Sequence, residues 1–371
     1  MGKRNRRCQS DIPLIVFFLI FICQLLVSCN ESQSEGVNSE NDIGQLESLN
    51  FYGNTQGTTY AVICNDSIDI TKAEIENTLH QFDLALSTYI PESIISKLNA
   101  SGGGYFRYVD SSGFFNNCIT ISQKVHDLTN GAFDPTVYPL LDAWGFFKDT
   151  ETIPDSAEVK SLLRLTGFKN YHFRFYFADS SHHVSKVSKV TPQSKLVFNA
   201  IAQGQAVDVI AELLESKGAK NYFVEIGGEL KVKGLNSEGN LWTIGIDKPI
   251  ENSNAGNREL MRIITLDNKS AATSGSYRKF YEKGGQKYSH TIDPKTGYPV
   301  QHQLLSVTVI SESCALADGL ATAFMVMGTE KVIDFLDSNP SLEIEVYLIF
   351  NNSKNRLDSY MTEGFKTLIL E

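Results

Sequence analysis

The sequence has little that could cross-link it. Of six cysteines in 371 residues, Cys8, Cys23 and Cys29 crowd the N-terminal stretch. Cys64, Cys118 and Cys314 remain, odd in number, widely spaced and without metal-like pairing. That excludes a disulfide framework and leaves a buried free thiol as the state of at least one. Basic residues are also short, with 33 Lys and Arg against 43 Asp and Glu and a net charge of −10. Nucleic acid is therefore excluded as a partner, since its phosphates demand the opposite sign. No second long apolar run follows Ile12 to Val27, so a multi-span membrane protein does not fit. Helices and strands interleave without a long βαβ series, which sets the class as α+β rather than doubly wound α/β. The length allows a large core and one or two domains.

The N-terminus carries a pattern of its own. Lys3, Arg4, Arg6 and Arg7 form a basic head before the apolar run, which closes on Leu26-Val27-Ser28-Cys29. This reads as a secretory signal over residues 1–28, and its last four letters resemble a bacterial lipobox. Cys29 is then the lipidated mature N-terminus; the alternative is an uncut anchor, for which the run is short. Residues 29–48, rich in Ser, Asn, Glu and Gly, read as a flexible tether. Residues 49–371 form the folded domain.

Within that domain Thr71 and Glu74 form a capping box ahead of Ile75, Leu79, Phe82 and Leu86 at helical spacing. A second helix is expected over about Phe114 to Leu128, stopped by Asn130-Gly131, and Asp134 is then held extended by Pro135. Trp144 and Phe146 follow, either as core or as a frame for a flat ligand. Ser156 to Leu165 reads as a short helix, and Tyr171 to Phe177 as a strand. Gly204 stands where an apolar stretch enters the helix of Val207, Ile210, Ala211 and Leu214, a junction that exposes helix N–H groups to an anion. Tyr222 to Ile226 and Glu229 to Val232 flank a Gly227-Gly228 bend, and Leu241 to Asp247 and Leu260 to Leu266 extend the sheet. Ser306 to Ile310 precedes a helix over Cys314 to Met327. On it Asp318 and Thr322, four apart, share one face. A carboxylate and a hydroxyl there suit either a capped Asp or a hard cation such as Mg²⁺.

Thr273-Ser274-Gly275 and Tyr288-Ser289-His290-Thr291-Ile292-Asp293-Pro294-Lys295-Thr296-Gly297 are expected to share one hairpin. Pro294 fixes its φ, Asp293 accepts from N–H groups just beyond it, and Gly297 supplies a positive φ. The turn should hold His290 still on the strand before it.

In register, these segments resemble the ApbE family, the FAD:protein FMN transferases, from about Gly53 to Gly328. The resemblance rests on Gly57-Thr58-Thr59-Tyr60, Ser87-Thr88-Tyr89 with Ser93, Ser96 and Asn99, and Gly131 to Thr136. It continues through Gly204 to Asp208, Gly227-Gly228, Thr273 to Gly275, His290 to Gly297, and Ala317-Asp318 to Thr322. It implies a two-lobed, T-fold-like architecture of mixed sheets flanked by helices. It also implies transfer of FMN from FAD to a Thr or Ser hydroxyl of an acceptor protein, with AMP released. Mg²⁺ would be held by Asp318, Thr322 and the Ala200 carbonyl. Gln56, Tyr89, Ala132, Phe133, Asp134, Gln203 and Ile292 would contact FAD, and His290 would be the base. The implied location is the cell envelope, facing the periplasm and tied to the membrane through Cys29. FAD hydrolysis and non-catalytic FAD binding are the alternative activities. Two positions depart from the family pattern: Gln203 stands where a lysine is usual, and Gln56 where a methionine is usual.

Overall fold

A computed structural model describes residues 48–147, 153–175, 184–250, 259–276, 280–283 and 286–370. The expected signal segment and all but the last residue of the tether lie outside the described residues, as does Phe177. The described residues fall in one unit, Gln45–Glu371.

The described residues open with a hairpin of β1 (Leu49–Thr55) and β2 (Thr58–Cys64). Gln56 and Gly57 close it with φ of 51° and 74°, a two-residue turn whose twist matches that of the strands. Helix α1 (Lys72–Leu86) starts at the expected capping box, with both Thr71 and Glu74 bonds formed. A short helix the periodicity does not show, α2 (Ile94–Ala100), follows under a Ser93 cap. Then come β3 (Gly104–Val109), α3 (Phe114–Leu128), α4 (Tyr138–Ala143) and α5 (Ser156–Leu162). With β4 (Tyr171–Arg174) and β5 (Val184–Lys189), β3 forms a small sheet in the order β3-β5-β4.

The second half begins with α6 (Ala202–Ser216), then β6 (Tyr222–Ile226), β7 (Glu229–Lys233), β8 (Trp242–Asp247), β9 (Leu260–Leu266) and β10 (Lys269–Gly275). Next are β11 (Phe280–Lys283), β12 (Gln286–Ser289), β13 (Leu304–Ser311), α7 (Cys314–Met327) and α8 (Thr329–Ser338). The chain ends with β14 (Glu345–Asn351), β15 (Leu357–Met361) and α9 (Glu363–Thr367).

Eight strands make the main sheet, ordered β1-β2-β6-β7-β10-β13-β14-β15. Both its faces are buried, which the alternation on β14 shows: Val346 and Leu348 join the core under α1, α3, α6 and α7. Tyr347 and Ile349 join the opposite core, with β8, β9 and α9. Strand β8 pairs with β9, and β9 bonds on its other side to Leu368 and Leu370; among the described residues neither strand pairs with the main sheet, so they lie over it rather than extending it. Helix α7 is buried nearly all round, as expected for an apolar helix sandwiched between β10, β13 and α6. Among the described residues no helix is long and apolar enough to cross a membrane.

Candidate functional site

A cleft of about 840 Å³ opens along α7, and its wall collects residues from seven separate stretches of chain. Asp318 and Thr322 enter it one turn apart, with Ala200 from just before α6 and Gln203 from its first turn also on the wall. Asp318 is only 6 % exposed, and its Oδ2 accepts the Gly204 N–H at 3.0 Å. Burial pushes its carboxyl up to about 7, and the Gly204 bond pulls the other way.

Gly204 lies inside the first turn of α6, not at a strand-to-helix junction, and its N–H is already taken. The expectation of an open anion site at this glycine is therefore corrected. What the position requires is closeness: a Cβ there would stand 2.5 Å from the Cys314 carbonyl oxygen and 2.7 Å from Asp318 Cβ. Asp208, one turn further on, is also structural. Its carboxylate accepts the N–H groups of Cys314 and Ala315, the Ser313 hydroxyl and Lys231 Nζ at 2.9–3.2 Å. That pins the start of α7, where a carboxylate meets the positive end of the helix.

The donor set suits a hard cation. Gly204 would ordinarily bond the Ala200 carbonyl four residues back. Because that N–H is turned to Asp318, no backbone N–H among the described residues donates to Ala200 O. A carboxylate with a single hydrogen bond, an undonated carbonyl and the Thr322 hydroxyl thus share one end of the cleft. Among the described residues no group of three or more His, Cys, Asp or Glu could hold a metal. An ion here would rely on one charge and neutral oxygens, as Mg²⁺ tolerates. Ser274 Oγ lies 3.3 Å from Thr322 Oγ1 and fixes that hydroxyl from the sheet side.

His290 lines the same cleft. It sits one residue past β12, whose partner is β11, so the Asp-Pro turn closes a separate loop rather than the expected single hairpin. That loop is stiff. Asp293 Oδ1 accepts from Lys295 N at 2.8 Å, Asp293 O accepts from Gly297 N at 2.8 Å, and Ile292 bridges Pro299. Gly297 has a φ of 78°, and its carbonyl accepts the Trp144 indole N–H at 2.8 Å. Trp144 is buried with Leu140, Val159 and Ile292, so it belongs to the core that clamps the turn and not to a ligand frame.

The remaining wall is built in the same way. Asn130 and Gly131 turn the chain out of α3 with positive φ, which brings Ala132, Phe133 and Asp134 to the cleft. Asp134 Oδ1 accepts both the N–H and the hydroxyl of Thr136, and burial still raises its carboxyl above the usual range. Tyr89 stands on the lip, 78 % exposed. Its loop is tied by Ser93 Oγ and Ser96 Oγ, both donating to the Ser87 carbonyl. Asn99 exchanges two 2.8 Å bonds with the Leu196 backbone and so locks the strip leading to Ala200.

Of the residues expected at the site, His290, Tyr89, Ala132, Phe133, Asp134, Gln203, Ile292, Ala200, Asp318 and Thr322 all line this one cleft. Gln56 is the exception, placed in the β1–β2 turn and not on the wall, with its Nε2 buried and without a hydrogen-bond partner. Gln203 Nε2 lies near that hairpin, 2.6 Å from where a Cβ on Gly227 would stand, with Thr58 Cγ2 3.0 Å from the same point. Glu229 and Asn199 also line the cleft. No spacing pattern flags them, although Glu229 follows directly on the Gly227-Gly228 bend. All three cysteines of the described chain are free and buried.

Comparison with known proteins agrees with this geometry. The model of the ApbE family matches residues 56–348. The FAD:protein FMN transferase of Haemophilus influenzae is 34 % identical over 328 residues, covering 86 % of this chain and 91 % of the relative. That of Vibrio cholerae is 34 % identical over 335 residues, covering 87 % and 93 %. The flavin transferase ApbE structure from Vibrio cholerae superposes with a TM-score of 0.72 at 33 % identity, over 87 % of this chain and 99 % of that one. The apo flavinyl transferase ApbE of Pseudomonas stutzeri gives 0.74 at 32 %, over 87 % and 96 %. With a family model spanning most of its length and relatives above 30 % identity across nearly all of theirs, this chain belongs to the ApbE family.

Proposed function

We propose that this protein transfers FMN from FAD to a Thr or Ser hydroxyl of an acceptor protein, with Mg²⁺ as cofactor and AMP as the other product. The observation that carries the reading is one cleft holding His290 together with the oxygen donors Asp318, Thr322 and Ala200. In the reaction a bond forms between the acceptor oxygen and the FMN phosphorus, and the bond from that phosphorus to the AMP oxygen breaks. His290 takes the hydroxyl proton, a task suited to a group titrating near neutrality. Asp318, Thr322 and the Ala200 carbonyl would hold Mg²⁺, which neutralises diphosphate charge when bound. Gln203 contributes hydrogen bonds but no charge. The stiff turn around Asp293 and the Trp144 clamp keep His290 in place. Tyr89, Phe133 and Ile292 supply apolar walls for a flavin.

The N-terminal pattern supports secretion, lipidation at Cys29 and residence at the cell envelope facing the periplasm. The test of function is incubation with FAD and Mg²⁺, with and without an envelope extract as acceptor source. Acceptor-dependent AMP release with covalent FMN on a protein is the expected result. Acceptor-independent release identifies a hydrolase, and no release a binding protein.

A further inference from the structure

Strand β10 outruns one of its neighbours. β13 pairs with it from Ser270 to Gly275, whereas β7 pairs only with Lys269, Ser270 and Ala271. Beyond Ala271 no strand among the described residues covers the β7 side of β10, and Thr273, Ser274 and Gly275 there line the cleft. Ser276 donates its N–H to the Leu305 carbonyl of β13. Backbone directions alternate along a strand, so Ser274 also turns its N–H and C=O toward β13. Thr273 and Gly275 turn theirs the other way, into the cleft. Two donors and two acceptors thus stand on an open sheet edge, the arrangement that captures an extended chain.

Side chains alternate as well. Ser274 Oγ meets Thr322 Oγ1 of α7 at 3.3 Å, while Thr273 Oγ1 meets Thr308 Oγ1 at 2.9 Å on the other face. An antiparallel strand added to this edge would place the residue opposite Ser274 on the α7 face. Its Cβ would lie about 4.5–5.5 Å from that of Ser274. We propose that the acceptor protein docks here as an added β-strand, with the hydroxyl that receives FMN on the residue opposite Ser274. The inference rests on the transfer reading and names how its second substrate binds. The register brings the hydroxyl beside Thr322 and Asp318, in the cleft His290 lines. It also sets a rule for the acceptor backbone. The modified residue is in a non-hydrogen-bonded pair and points its own N–H away from β10; its two neighbours make the bonds to Thr273 and Gly275.

The test uses the full-length protein with FAD, Mg²⁺ and an envelope extract from cells lacking this gene. Labelled protein is read by flavin fluorescence in a denaturing gel, and the labelled residue is mapped by mass spectrometry. Thr273→Pro removes the cleft-facing N–H and spares the backbone bonds to β13, a substitution that open edges accept. Thr273→Ala keeps the N–H and removes the same hydroxyl. Transfer should fall at least about tenfold further in the proline variant, the value of roughly one hydrogen bond, while the two FAD affinities agree within about threefold. Equal transfer by the two variants overturns the dock. A matching loss of FAD affinity overturns it too, because the edge then serves the nucleotide. If the proline variant does not fold, the mapped acceptor peptide is tested with N-methyl groups. Methylation of either neighbour should block labelling and methylation of the labelled residue should not; any other pattern refutes the register. A wild type that releases AMP but labels nothing removes the transfer reading, and this inference with it.

Discussion

Gly204 donates its backbone N–H to Asp318 Oδ2 at 3.0 Å, across a helix contact too tight for a side chain at position 204. One residue therefore sets the approach of α6 to α7, orients the buried carboxylate and leaves the Ala200 carbonyl undonated. Gly204→Ala should cost about 1–3 kcal/mol through overpacking. It should also weaken Mg²⁺-dependent FAD binding more than binding without metal. Thermal melting and FAD titrations with and without a chelator read the two effects, and an equal loss in both titrations would mean that the glycine serves packing alone.

Trp144 reaches the turn beyond His290 from the core, with its indole N–H on the Gly297 carbonyl. Trp144→Phe keeps an aromatic filler and leaves that carbonyl without its donor, a loss of about 1–3 kcal/mol for a buried group. Turnover should drop more than FAD affinity, because the turn positions His290. Unchanged turnover in a destabilised variant would restrict Trp144 to folding.

These two residues show how far the sequence was legible. The capping box at Thr71 and Glu74, the helix Phe114–Leu128 and the paired Asp318 and Thr322 follow from spacing, because each depends on residues a turn apart. What spacing does not carry is partnership. The β8 and β9 segments read as strands, yet nothing local says that they pair off over the main sheet. Gly204 and Asp208 stand in one motif, but their use depends on α7 a hundred residues away. Helix α2 escapes because it has seven residues and buries only Ile95 and Leu98.

His302 lies behind the cleft, with Nε2 2.7 Å from the Met325 carbonyl. Burial holds its imidazole below the ordinary histidine range, despite the opposing pull of that carbonyl. The folded state then binds the proton less readily than the unfolded chain does. Stability from this group is present above the unfolded value of about 6.5 and is lost as pH falls through the lowered folded value. His302→Gln should flatten the decline in Tm between about pH 7 and 5; an unchanged slope would assign the decline to other groups.

Cys29 lies outside the described residues, but its role is testable. Cys29→Ser should leave an uncleaved precursor that takes up no labelled fatty acid, and normal uptake would exclude the lipobox. Protein starting near Leu46 should keep its activity in solution, since β1 and every residue lining the cleft lie beyond that point.

The last prediction separates binding from chemistry at His290. The turn beyond it is held by Asp293, Gly297 and Trp144, none of which depends on the imidazole. His290→Ala should therefore keep that turn and bind FAD with Mg²⁺ nearly as well. Transfer should fall by on the order of 10²–10⁴, the usual value of a general base. A near-normal rate would refute the role. The wild-type rate should also decline along a single limb at acid pH as the base takes up a proton. Residual activity of His290→Ala should lack that limb. If the variant keeps it, the titrating group is elsewhere in the cleft, and Asp134, its carboxyl already raised by burial, becomes the residue to replace next.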